Sequence, residues 1–180
     1  MFIVFAEVRF LGQADVPLNA TGFQQATVAA EILNTYTFDQ IVASPLQRAL
    51  VTAQIIARAT KKPLTIIDEF KECSFGIMQG QYKKDFLEQF EHFKTGGSIQ
   101  GAELWSAFVQ RVAAGLKLIL DTSNGNRILI VSHGGVYRAI KQILGLEWQE
   151  GLPNCHPVQF VPPSSHREPW SIEKNNNIPH

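Results

Sequence analysis

The sequence predicts a single α/β domain: a mostly parallel central sheet with helices on both faces. Three observations carry this. Short runs that are apolar throughout, residues 2–5 and 128–131, suit strands buried on both sides. They alternate with segments whose apolar residues recur at helical spacing. At two places a strand runs straight into a helix start, as strand–helix crossovers require. A length of 180 residues fits one domain rather than two.

The elements follow in order. Residues 2–5 form the first strand, and a turn-rich stretch runs from Gly12 through Asp15, Pro17 and Asn19. Thr21 and Gln24 have capping-box spacing and open a helix bearing Phe23, Ala26, Ala30 and Leu33 on its apolar stripe. Residues 40–43 make the second strand. It meets Ser44-Pro45-Leu46-Gln47, where Ser44 reads as the N-cap, Pro45 as the first helical residue and Gln47 as the closing side of the box. This helix runs to about Thr60 and ends at Lys61-Lys62-Pro63, before a third strand over 64–67.

An irregular passage, 72–76, precedes a polar helix near 82–94 and the Gly96-Gly97 break. A long amphipathic helix over 102–120 carries Trp105, Phe108, Val112, Leu116 and Ile119 on one stripe. Residues 124–126 turn the chain into the clearest strand, 127–132, which delivers His133-Gly134-Gly135 into a helix ending near Leu144. From Gly151 onward proline is dense, and only 158–161 and 170–172 read as strands. The tail 175–177 reads as loose. The whole chain, 1–180, reads as one domain with a Pro-rich C-terminal segment over 151–180.

Composition narrows the function. Sixteen basic and sixteen acidic residues balance, which argues against a general nucleic-acid binder. No apolar run reaches the length of a membrane span, and residues 1–5 are too short for a signal-peptide core. Cys73 and Cys155 lie far apart with no C-x-x-C pattern, so neither a disulfide framework nor a zinc site is expected. His156 and His166 have no partners at metal-ligand spacing and read as surface residues. A soluble cytoplasmic protein is the expectation that remains.

Ligands of open α/β sheets sit at the carboxyl ends of strands, where helix N-termini also face. Two junctions qualify here. One presents Ser44, Pro45 and Arg48; the other presents His133, Gly134 and Gly135. Helix N-termini attract phosphate, and an arginine and a histidine beside them would complete a cradle. Taken singly, the residues have plainer explanations. Ser44-Pro45 is accounted for as a helix start, Arg48 as a solvated first-turn charge, and Glu72 as a surface carboxylate. His133 between an apolar strand and two glycines is the odd packing choice.

Together, and in order, the blocks resemble the histidine phosphatase (phosphoglycerate mutase-like) family. The first runs Arg9-Phe10-Leu11-Gly12-Gln13-x-Asp15-x-Pro17-Leu18-x-x-x-Gly22-x-x-Gln25-Ala26. The second is Ser44-Pro45-Leu46-x-Arg48-Ala49-x-x-Thr52-Ala53, and the third Glu72-x-x-Phe75-Gly76-x-x-x-Gly80. Gly101-x-Glu103 followed by Phe108 and Arg111-Val112 makes the fourth. Val131-Ser132-His133-Gly134-Gly135-Val136-x-Arg138 is the last. The similarity spans 2 to about 145.

The resemblance implies a phosphoglycerate mutase-like fold and a phosphomonoesterase of the phosphatase branch acting on a small phosphorylated metabolite. It implies that Arg48 contacts the phosphoryl oxygens, with Arg9 at the rim and Gly12 and Gly134 lining the phosphate site. His133 would hydrogen-bond the phosphate. Glu72 would protonate the leaving oxygen and then activate water. Neither a metal nor a cofactor is implied, and substrate choice is assigned to 77–103.

One element of the family pattern is missing. The family carries an Arg-His-Gly/Ala-Glu motif at the end of the first strand, whose histidine becomes phosphohistidine, and an asparagine shortly after it. Here the strand passes into Ala6-Glu7-Val8-Arg9. Aligning Ala6-Glu7 with the motif's end puts Val4 and Phe5 in place of its arginine and histidine; the other alignment deletes the motif. Phenylalanine has no lone pair to attack phosphorus. Three accounts stay open: a pseudoenzyme, a mutational or engineered deletion, or a sequence lacking residues of the working molecule. The functional classes are correspondingly two: a phosphomonoesterase with a defective N-terminal block, or a phosphate-binding or scaffold protein.

Overall fold

The computed structural model describes residues 2–3, 9–147, 154–164 and 169–174; residues 2–3 are described by their backbone. One sheet of six strands organises them: β1 (Phe2–Ile3), β2 (Gln40–Ala43), β3 (Leu64–Ile66), β4 (Ile128–Val131), β5 (Val158–Val161) and β6 (Ser171–Lys174). Their spatial order is β3-β2-β4-β1-β5-β6. The first four are mutually parallel, with Ala43 and Ile3 both in register with Val131. β5 and β6 add an antiparallel pair beyond β1. The mostly parallel α/β architecture is therefore the observed one, with β4 between β2 and β1.

Side-chain alternation along the strands explains why both faces are covered. Ile41, Ala43, Leu129 and Val131 point to one side and bury α1 (Ala20–Leu33) and α2 (Gln47–Thr60) through Ala29, Ala30, Leu33, Ala49, Ala53 and Ile56. Val42 and Ile130 point to the other. There α3 (Leu87–Lys94), α4 (Trp105–Thr122) and α5 (Gly134–Ile143) pack around a chain of aromatic rings. Phe10, Phe75, Phe90, Phe93, Trp105 and Phe108 follow one another with centroids 5.0–6.4 Å apart, mostly tilted or edge to face.

Several boundaries differ from the sequence expectation, each for a local reason. Helix α1 starts at Ala20 because Asn19, not Thr21, is its N-cap and accepts the Gly22 N–H at 2.8 Å. Helix α2 starts at Gln47, not Pro45, and its first N–H is capped by Asp15, 32 residues upstream, at 2.6 Å rather than by Ser44, whose Oγ accepts the Leu46 N–H ahead of the helix. Lys61 closes that helix in the left-handed region. The strand expected over 64–67 ends at Ile66, and Ile67 N–H bonds the Ala43 carbonyl. The 82–94 segment divides into a 3₁₀ turn, Lys83–Phe86, and α3, because Phe86 leaves helical geometry at φ −133°, ψ 25°. The long helix begins three residues later than expected, and the last strand one residue later. Residues 4–8 and 175–177, on which the missing-motif and loose-tail expectations fall, lie outside the described residues.

Phe108 is fully buried at the α4 end of the aromatic chain. Phe108→Ala should lower stability by about 3–5 kcal/mol, read as a fall in the urea midpoint with the slope unchanged.

Candidate functional site

Parallel pairing of β2 with β4 brings their carboxyl ends level, so Ser44 and His133 leave the sheet side by side. Both are fully buried, and His133 Nε2 lies 2.8 Å from Ser44 Oγ. Ser44 Oγ also accepts the Leu46 N–H at 3.3 Å. His133 is the N-cap of α5 in extended conformation, with no capping bond from its ring. Its Nδ1 is buried and has no hydrogen-bond partner among the described residues.

Burial first, then the positive charges of Arg48 and Arg111, hold the imidazole well below the usual histidine range. The ring is therefore a neutral group among cations.

Arg48 stands in the first turn of α2 and is buried, not solvated. Its guanidinium donates to the carbonyls of Gly12 at 2.8 Å and Ala14 at 2.9 Å. Segment 12–15 thereby becomes a strap across the site, pinned by Arg48, by Asp15 on the α2 head, and by Gln13 donating to the Glu72 carbonyl at 3.2 Å. Gly12 turns this strap at φ +54°. A Cβ there would press on the Cys73 carbonyl at 3.0 Å and Gln79 Oε1 at 2.7 Å.

Glu72 is buried rather than on the surface. Its carboxylate accepts the Cys73 N–H at 2.9 Å and, from the head of α5, the Gly135 N–H at 3.0 Å. Glycine at 135 is what admits it, because a Cβ would collide with Oε1. The backbone around Glu72 is held just as firmly. Arg111 forks onto Glu103 through Nε and Nη2 at 2.9 and 2.7 Å. Its remaining donors reach the carbonyls of Glu69, Lys71 and Glu72. Ser132 Oγ donates to the Phe70 carbonyl at 2.8 Å.

The structure thus gathers Ser44, Arg48, Glu72, His133, Gly12 and the Gly134-Gly135 helix head at the carboxyl edge of β2 and β4. Arg9 is placed differently: its guanidinium stacks 3.6 Å above the Tyr82 ring and donates to the Gly80 carbonyl at 2.8 Å. In the sequence Ser44 is explained as a helix start, and no local pattern singles out Arg111, Glu103 or Asp15. The fourth block of the family resemblance contained Arg111 and Glu103, and that was the available signal. Among the described residues, no His, Cys, Asp and Glu side chains group so as to hold a metal ion, and no helix is long and apolar enough to cross a membrane. Cys73 and Cys155 are buried and free.

A parallel sheet whose carboxyl edge assembles an arginine, a neutral histidine and a carboxylate at two helix heads defines an α/β protein with one polar site at the switch between crossovers. The chain belongs to the histidine phosphatase superfamily (branch 1), whose sequence profile matches residues 5–177. It is 30% identical to the probable phosphoglycerate mutase GpmB of Salmonella choleraesuis (strain SC-B67), over 97% of this chain and 88% of that one. It is 31% identical to the uncharacterized phosphatase PhoE of Bacillus subtilis (strain 168), over 72% and 65%.

Its fold matches a mycobacterial glucosyl-3-phosphoglycerate phosphatase in complex with inorganic phosphate with a TM-score of 0.81 at 21% identity, covering 96% and 93% of the chains. The alpha-ribazole phosphatase of Shigella flexneri matches with a TM-score of 0.76 at 24% identity, covering 97% and 94%.

Two outcomes follow from this geometry. Below about pH 6.5 the unfolded chain takes up a proton at His133 that the native ring refuses, so stability falls as pH drops, by up to about 1.4 kcal/mol per pH unit. His133→Gln should remove that part of the slope in urea titrations between about pH 7 and about pH 5. Gly135→Ala should push the Glu72 carboxylate off the α5 head and lower stability by roughly 1–3 kcal/mol, despite the better helix propensity of alanine.

Proposed function

We propose that this chain is a small-metabolite phosphomonoesterase by descent that binds a phosphoryl group and, in the sequence as it stands, does not turn it over through phosphohistidine. In this reading Arg48 and His133 hold phosphoryl oxygens beside the α5 head, and Gly12 and Gly134 line the cradle. Glu72 is the group that would protonate the leaving oxygen. The rest of the metabolite is assigned to residues 77–103, with Arg9, on Tyr82, at the rim. The relatives support the ligand class, since glucosyl-3-phosphoglycerate and alpha-ribazole phosphate esters are named as what related phosphatases act on.

The observation that carries the inactive reading is the histidine count by position. No histidine precedes His92 in the chain, and the histidine at the site, His133, spends Nε2 on Ser44. A nucleophile must be free and in line with the phosphorus as well as basic.

A second reading is favoured by the strap. Arg48 and the α5 head already hold internal partners, the 12–14 carbonyls and Glu72, which suits a scaffold that keeps the fold without the ligand. Phosphate titration separates the two. Calorimetry should show inorganic phosphate binding that Arg48→Ala abolishes, whereas a pure scaffold shows none.

Turnover of an aryl phosphate should lie on the order of 10⁴-fold or more below that of an intact family member, with no phosphohistidine trapped. Inserting an Arg-His-Gly-Glu loop and its following Asn ahead of Arg9 should restore both. An intact mass of 20.1 kDa fixes the molecule as this sequence before the assay. Robust turnover by that molecule, dependent on Glu72 and His133, would refute the inactive reading.

A further inference from the structure

His133 has two ring nitrogens, and the hydroxyl of Ser44 decides between them. Ser44 Oγ already accepts the Leu46 N–H, and its one other contact among the described residues is His133 Nε2. Ser44 has no exposure to water. Suppose Nε2 carried the ring proton and donated to Oγ. The serine hydrogen would then be buried with no acceptor, and Nδ1 would be left as a buried bare acceptor as well. Suppose instead that Oγ donates its hydrogen to a bare Nε2. The serine is then satisfied, and a single unmatched group remains, an N–H at Nδ1. The second arrangement leaves one buried polar group without a partner instead of two.

We propose that Ser44 is a positioning residue: by donating its hydroxyl hydrogen to His133 Nε2 it holds the imidazole as the Nδ1–H tautomer, which makes the ring a neutral hydrogen-bond donor at the head of α5. A donor suits an oxyanion, and a bare nitrogen at the same place would repel one. The same bond disqualifies His133 as a stand-in nucleophile, because Nε2 is occupied and Nδ1 is protonated. The assignment of the anion as phosphate rests on the function proposed above; the tautomer does not.

The test is ¹⁵N NMR of histidine-labelled full-length protein near neutral pH, with the His133 signals identified by their loss in His133→Gln. Long-range ¹H–¹⁵N correlations report which nitrogen bears the proton. Wild type and Ser44→Thr should show it on Nδ1. Ser44→Ala should shift the ring toward Nε2–H and weaken inorganic phosphate binding about tenfold, the value of one hydrogen bond to a charged group.

A merely structural serine would move stability but not the tautomer. An Nε2–H ring in wild type, or an unchanged tautomer in folded Ser44→Ala, overturns the proposal; if Ser44→Ala does not fold, wild type and Ser44→Thr decide it. An Nδ1–H ring that binds no phosphate at tens of millimolar supports the role of Ser44 and overturns the phosphate reading instead.

Discussion

Two helix heads meet at the carboxyl edge of β2 and β4, and each is answered by a carboxylate from a distant part of the chain. Asp15 accepts from the first N–H of α2, and Glu72 accepts from Gly135 in the first turn of α5. Backbone N–H groups at a helix start have no partner within the helix and carry the positive end of its dipole. The α5 head is buried beneath the strap and its N–H requires a negative or strongly polar partner, whereas the α2 head and Asp15 meet at the exposed edge of the strap. The rest of the site is arranged around meeting that requirement.

The consequences spread along both segments that supply the carboxylates. Glu72 reaches α5 because its own backbone is fixed by Arg111, Gln13 and the hydroxyl of Ser132 beneath Phe70. Arg111 can donate so widely because Glu103 holds two of its nitrogens in a planar fork. Asp15 reaches α2 because Arg48 binds the carbonyls before it. Each bond to a charged group is worth roughly 1.5–3 kcal/mol, and removing one at Arg48 or Glu72 would leave buried groups unmatched. Coupled in this way, the strap, the Glu72 loop and the two helices should respond to mutation as one unit.

His133 sits between these charges without joining them. Its burial and the nearby arginines keep it neutral, which avoids the cost of burying a charge and leaves Nδ1 as its one unmatched atom among the described residues. The relation to the histidine phosphatase superfamily gives this geometry its functional context. The same packing nonetheless stabilises the chain with no ligand at all, which is why phosphate recognition and turnover are separate questions here. In the function proposed above, recognition rests on Arg48, His133 and the α5 head, and covalent turnover would need a nucleophilic histidine, of which the sequence has none ahead of His92.

The fold was legible in the sequence because its signals are local. Apolar runs at 41–43 and 128–131, helical stripes in α1 and α4, and the prolines and glycines between them specify a two-sided parallel sheet without reference to distant residues. The order of motifs pointed to the family for the same reason. What the sequence could not settle was which side chain answers which. Asn19 rather than Thr21 caps α1, Asp15 rather than Ser44 caps α2, and Glu72 caps α5 from 63 residues away. Arg48, plausible as a solvated charge, is buried against carbonyls, and Arg9 stacks on Tyr82. Propensity is a property of a few neighbouring residues, whereas hydrogen-bond partnership at a buried site depends on which segments the sheet register brings within 3 Å. That is decided only when the strands pair.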